Sequence, residues 1–326
     1  MARTLTAWAL AAAIVAASIA AGCSGAGISA TEARGGDIDA LAADHLAAVV
    51  LVRSWLNALH TKPGEDDGCE QEYHSERLPG GSTRIWGTNS DCSTYEYTVL
   101  PDGSGQGALT LADGTAIAET WGIVVWDGNI ATRDITKEFG DGFRLDYAWT
   151  GDYSRAWLTV TWEGDAILPD GRAAEFAVVQ RGGDREEVTL DLPDGARCDF
   201  RVPLTLEGTD QFVPDYTRQI TGHYVSAAGQ RHDFTLDGWD GRWVTWQMAA
   251  DGIAGEFTIG EDYAGDGQVS QDGRLAGALR WDADGAGVLE LLLAGAAEVG
   301  PSGAALDFQI DRWIATVALL GPMPMY

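Results

Sequence analysis

The chain of 326 residues carries 49 acidic and 21 basic side chains, a formal net charge of −28. A field of that sign repels phosphate backbones and anionic headgroups, which disfavours nucleic acid as a partner. Acidity of this kind favours solubility and would draw cations.

At the start of the chain, Arg3 precedes an apolar run from Ala7 to Ala21, which closes on Ala20-Ala21-Gly22-Cys23. One positive charge, a short apolar stretch and small residues before a cysteine are the layout of a secretory signal peptide ending in a lipidation site. The run reaches the length of a spanning helix only if Thr4, Thr6 and Ser18 are counted in. These residues resemble the lipobox of bacterial lipoproteins, with Ala20 where that motif usually has leucine. The resemblance implies that residues 1–22 are removed, that Cys23 is acylated, and that the lipid on Cys23 ties the protein to a membrane. Ser24 after the cysteine implies, by that family's sorting rule, the outer membrane of a Gram-negative envelope. Without residues 1–22 the charge becomes 20 − 49 = −29, so lipid and not a basic patch must hold the chain at the bilayer.

Residues 23–36 are small, polar and glycine-rich, as in a flexible tether. A helix is expected over 37–62: Asp37 and Asp39 suit its first turn, and Leu41, Ala48, Val52, Trp55 and Leu59 form an apolar stripe. Lys62-Pro63-Gly64 ends it, and hydrophobes at Val49 to Leu51 widen the stripe enough for the helix to be covered by the rest of the protein. From 63 to 326 the chain reads as antiparallel strands, with apolar and polar residues alternating in Leu158–Trp162, Val188–Leu192 and Leu306–Ile310. Thirteen Asp-Gly pairs punctuate the chain, several of them 10–14 residues apart, which predicts short type I′ hairpins. The expected fold is mainly β: an antiparallel meander, as a sandwich or open barrel of one or two packed halves, with one N-terminal helix. A sub-boundary is expected near 203–214, where the hairpin rhythm breaks.

With Cys23 lipidated, Cys69, Cys92 and Cys198 remain, and Cys69 and Cys92 are placed to close one hairpin by a disulfide. Cys198 is then a buried thiol or an alternative partner. The stretch Asp262 to Gly273 resembles the calcium loop of EF-hand and dockerin modules, with Asp262, Asp266 and Asp272 as candidate ligands. Ala264 and Gly273 stand where that loop needs oxygen donors, so two consecutive turns are the competing reading; no other cofactor is expected. His223 and His232 face each other if their loop is centred on Ala227-Ala228, whereas a centre at Ala228-Gly229 sets His223 opposite Phe234. Trp239, Trp243 and Trp246 cluster beside Asp240 as a candidate glycan-binding face, and Trp121 and Trp126 fall within one expected strand. No nucleophile elbow, zinc-protease or phosphate-loop motif occurs. The sequence therefore supports an envelope lipoprotein acting as a non-enzymatic binding or structural module with a protein or glycan partner. A glycan-active or carbohydrate-binding lipoprotein, and a carrier of an apolar ligand in an open barrel, are the alternatives.

Overall fold

The computed structural model describes residues 35–60, 69–89, 92–112, 114–154, 158–207, 211–215, 217–237, 243–250, 252–260, 264–282, 286–292 and 295–300. Within these, the side chains of 35–37, 53–60, 206–214, 243–246 and 250 are not described. Helix α1 (Gly35–His60) is followed by twenty-one strands. The first group is β1 (Glu72–Arg77), β2 (Thr83–Thr88), β3 (Thr94–Val99), β4 (Gly105–Thr110), β5 (Ala116–Trp121), β6 (Val125–Asp127) and β7 (Ile130–Phe139). Then come β8 (Arg144–Asp152), β9 (Thr159–Ile167), β10 (Ala173–Arg181), β11 (Arg185–Asp191), β12 (Arg197–Glu207), β13 (Gln211–Pro214) and β14 (Ile220–Val225). The last are β15 (Arg231–Asp237), β16 (Trp243–Ala250), β17 (Ile253–Gly260), β18 (Gly265–Gln271), β19 (Arg274–Trp281), β20 (Gly287–Leu291) and β21 (Gly295–Val299).

Among the described residues every pairing is antiparallel and joins strands close in sequence, so they form a continuous meander with one helix, as the residue pattern predicts. Two places interrupt the rhythm. β5 and β6 run along different parts of β7, and β13 and β14 along different halves of β12. Pro203 lies inside β12, and the ladder runs on through the stretch expected to hold a sub-boundary.

Strand residues alternate cleanly between two environments. On β7, Ala131, Ile135, Lys137 and Phe139 are buried while Asp134 and Glu138 are exposed. On β11, Val188 and Leu190 are buried, whereas Arg185 and Glu187 stand on the other face with Asp191. The outer face is laced by ion pairs, such as Arg197 to Asp199 at 2.6 Å, Asp199 to His223 at 3.0 Å and Arg181 to Glu187 at 3.0 Å. Exposed pairs of this kind add little stability each. Charge outside and apolar residues inside is the reverse of a bilayer-spanning barrel, whose outward band is apolar.

The inner face is where α1 lies. Ile38, Leu41, Ala42, Leu46, Ala47, Ala48, Val49, Leu51 and Val52 are all buried, covering most of the circumference of the helix. The helix touches β12, β13, β15, β20 and β21, and its His45 ring stacks on Phe257 of β17 at 4.0 Å. Seven inter-strand steps separate β12 from β20, roughly 34 Å in a flat sheet, whereas a helix is about 10 Å across. This half of the sheet must therefore curl around α1. Over residues 38–52 the buried side spans much more than one stripe, and Asp39, Ala43 and Val50 mark the less buried side.

Alternate hairpins of a meander lie at the same end of the sheet, and here the two ends differ. One end carries tight turns of one design. In Leu168-Pro169-Asp170-Gly171-Arg172 and Leu192-Pro193-Asp194-Gly195-Ala196, the glycine N–H donates to the leucine carbonyl three residues back. Glycine alone has positive φ (+84° and +88°), and the aspartate carboxylate accepts the N–H two residues on. This is a type I turn followed by a glycine bulge, built also at Phe139–Phe143 and, at the other end, at Leu100–Ser104. The type I′ expectation is thus corrected for Asp102, Asp141, Asp170 and Asp194. It holds at Asp272-Gly273, where both residues have positive φ (49° and 74°) in a two-residue loop. The opposite end bears most of the longer connections: residues 153–158, 208–210, 238–242, 261–264 and 282–286.

Candidate functional site

Cys69 and Cys92 form a disulfide with Cα atoms 5.3 Å apart, which ties the start of β1 to the β2–β3 turn. Cys198 is a free thiol on the inner face of β12, fully buried, and burial pushes it well above the ordinary thiol range. It is no nucleophile.

The other sequence candidates do not converge. Asp266 lies within β18 and Asp272 in the turn beyond it, so about 20 Å of extended chain separates them. One calcium ion cannot be shared by both, and residues 265–271 form a strand where a loop or paired turns were expected; Asp262 lies outside the described residues. Among the described residues no group of three acidic, histidine or cysteine side chains is spaced to hold a metal. The β14–β15 loop is three residues, so His223 faces Asp233 and Tyr224 faces His232. The two histidines point to opposite sides of the sheet: His223 to Asp199 outside, His232 to Asp44 of α1 inside, at 2.6 Å. Both registers expected from the sequence are off by one residue. Trp239 lies outside the described residues, as do the side chains of Trp243 and Trp246; Cys23 lies outside them as well.

What the fold does assemble is a polar and aromatic patch on the inner face of β5, β7, β8 and β9, running to the loop-bearing end. Deepest is the ion pair of Lys137 Nζ and Glu119 Oε1 at 2.9 Å, both side chains buried. Burial lowers the lysine, with Glu119 opposing. Tyr97 and Tyr147 flank it; burial first, then the Glu119 charge, pushes both phenols far up, so both stay neutral. One row nearer the end, Arg133 faces Trp149 and Trp149 faces Trp162 across successive strands. The carbonyl of Gly103 accepts from Arg133 Nη2 at 3.3 Å and from Trp121 Nε1 at 3.2 Å, which fixes the guanidinium. Burial lowers the arginine.

The outermost rows are apolar and open to solvent. Trp126 and Tyr153 approach with ring centroids 5.6 Å apart, and Leu158 stands beside them on β9's leading edge. The floor between is small: Ala131 faces both Trp126 and Gly151, and a Cβ added at Gly151 would meet the Trp149 and Tyr153 rings at 3.0 Å. Trp121 and Trp126 do not share one strand, because the chain breaks at Gly122; Trp121 is buried and Trp126 is half exposed. Of the ten large hydrophobic residues left exposed among the described residues, six lie around this corner: Trp126, Tyr153 and Leu158 on the inner face, Val125 and Ile130 on the opposite face of the sheet, and Ile123 in the β5–β6 connection. Exposed apolar groups scattered singly need no explanation, but a contiguous set does.

No family model, characterised protein or solved structure matches this chain.

Proposed function

We propose that this chain is an exported, lipid-anchored binding module that takes an apolar ligand at the loop-bearing end of its sheet, with Trp126, Tyr153 and Leu158 as the contact lip. The observation that carries this reading is the exposed Trp126–Tyr153 ring pair, with Leu158 exposed on the same inner face at the end of the sheet. The lip is continuous with the apolar inner face, so a ligand seated there extends the core of the protein. Export is supported by the disulfide, which persists in oxidising compartments. Anchoring is supported by the lipobox-like Ala20-Ala21-Gly22-Cys23. A glycan stacked on Trp126 is the second reading; Leu158, exposed on the same face, weighs toward the apolar one.

Native mass spectrometry of the protein extracted from its own envelope in mild detergent tests both parts. The expected result is a non-covalent apolar adduct that is lost on denaturation and in Trp126→Ala/Tyr153→Ala. A covalent acyl mass on residues 23–326 should survive denaturation and vanish in Cys23→Ser. A chain free of any adduct would overturn the ligand reading, and retention of residues 1–22 would overturn the anchor.

A further inference from the structure

We infer that the ligand taken at the lip is a monoanion, a carboxylate on an apolar body, whose charged group is received by Arg133, Tyr147 and Trp162. The inference rests on the reading of the lip as a binding surface and adds the chemical class of its occupant. Its starting point is an arginine without an acid. In a chain with 49 acidic residues, Arg144, Arg181, Arg185, Arg197, Arg231 and Arg280 all pair with carboxylates. Arg133 pairs with none among the described residues. Its guanidinium is held through Nη2 by the Gly103 carbonyl, and its Nε is buried with no acceptor.

Two more donors nearby share that condition. Trp162 Nε1 and Tyr147 Oη are buried and have no hydrogen-bond partner among the described residues, on side chains more than nine-tenths buried. The register puts all three residues on one face of three adjacent strands. Arg133 and Trp162 flank Trp149, and Tyr147 lies two residues along β8 on the same side. Strand spacing sets their Cα atoms about 8–10 Å apart, within the joint reach of three long side chains. A buried donor left unpaired costs a large fraction of its desolvation energy, and three such donors on one face of adjacent strands are a candidate receptor for one shared acceptor.

The charge of the acceptor follows from the count. Lys137 is neutralised by Glu119, so Arg133 contributes one uncompensated positive charge and the tyrosine and tryptophan contribute none. One carboxylate balances it, whereas a dianionic phosphate would leave a negative charge near Glu119. From this group the body of the ligand runs outward along the Trp149 and Tyr153 rings, which cover Gly151, to the Trp126–Tyr153 lip, about two rows of side chains away. Gly103 and Trp121 act as positioning groups, through the carbonyl that holds Arg133.

Octanoate and octanol, which share a tail and differ in charge, test this by tryptophan fluorescence titration. The full chain would be embedded in lipid nanodiscs, with empty nanodiscs as the blank. Octanoate should bind about tenfold or more tighter than octanol. Arg133→Met should erase that preference by weakening octanoate alone, and Trp162→Phe and Tyr147→Phe should each weaken octanoate by about threefold to tenfold with octanol unmoved. Where Arg133→Met fails to fold by circular dichroism, Trp162→Phe carries the test, since it keeps a ring and removes one N–H. Equal affinity for the two probes, or an octanoate affinity indifferent to these variants, would overturn the anion site and leave the lip intact as an apolar binding surface. No saturable binding of either probe would overturn both.

Discussion

His45 gives up its charge to sit against Phe257 and Trp281 inside the sheet; burial pushes its pKa from 6.5 down to about 3. Between those values the unfolded chain binds a proton that the folded chain refuses, so stability falls as pH drops, by about 1.4 kcal/mol per unit. His45→Leu should remove that slope. Urea unfolding at pH 6.5 and 4.5 is expected to show the wild type losing about 2 kcal/mol more than the variant over this interval. Lys137 makes a complementary case, because its charge is kept and not surrendered. Lys137→Met leaves Glu119 buried without its partner and should cost about 3–5 kcal/mol, most of it recovered in Lys137→Met/Glu119→Leu. A single variant no less stable than wild type in the same unfolding assay would refute the pairing energy. Neither residue was legible beforehand as an inner-face group. The β7 sequence Ala131-Thr-Arg-Asp-Ile-Thr-Lys-Glu-Phe139 places charges on both faces, so its alternation gives no warning that Lys137 and Arg133 point inward.

At the scale of elements, two kinds of glycine make different demands. Gly195 closes a turn with φ of +88° and has open space around it, so Gly195→Ala should cost only the backbone strain, about 1–2 kcal/mol. Gly164 sits under Tyr147 and against the Asp146 carbonyl of the next strand, where a Cβ has no room. Gly164→Ala should cost clearly more than Gly195→Ala in thermal or urea unfolding, and equal losses would show that the β8 backbone beside Gly164 yields readily. Turns were the most readable elements, since Asp-Gly marks a reversal wherever it occurs. Their geometry was not carried by the dipeptide itself. In Leu-Pro-Asp-Gly the proline fixes the first turn position at φ near −65°, which sets a type I turn and leaves glycine as a bulge. With no extra residue between Gln271 and Arg274, the same dipeptide becomes type I′. That one residue of loop length also shifts register, which is why His223 and His232 end on opposite faces. The candidate loop with Asp262 failed for the related reason that spacing in sequence takes no account of strands, which carry ligands about 3.3 Å apart per residue.

For the molecule as a whole, α1 serves as the core of the curled half of the sheet. Leu46 is fully buried, near Gly287 of β20, and Leu46→Ala should destabilise by about 2–5 kcal/mol, the range for a large side chain removed from a packed interior. A loss below 1 kcal/mol in urea unfolding would mean that the helix is only loosely held. The strands and the existence of this helix could be read from periodicity, which depends on neighbours within a few residues. Enclosure could not, because it depends on contacts between residue 46 and residue 287 and on the way seven strands bend between β12 and β20.

That enclosure fixes an order of events in the making of the protein. The helix is synthesised first, yet β20 and β21 emerge some 240 residues later, roughly 12–50 s at common rates of translation. Through that interval an apolar helix has no wall to lie against. Variants that hasten helix formation would then be expected to lower the yield of folded protein while leaving the stability of the finished fold unchanged, a separation of assembly from endurance that pulse-labelling in cells can measure directly.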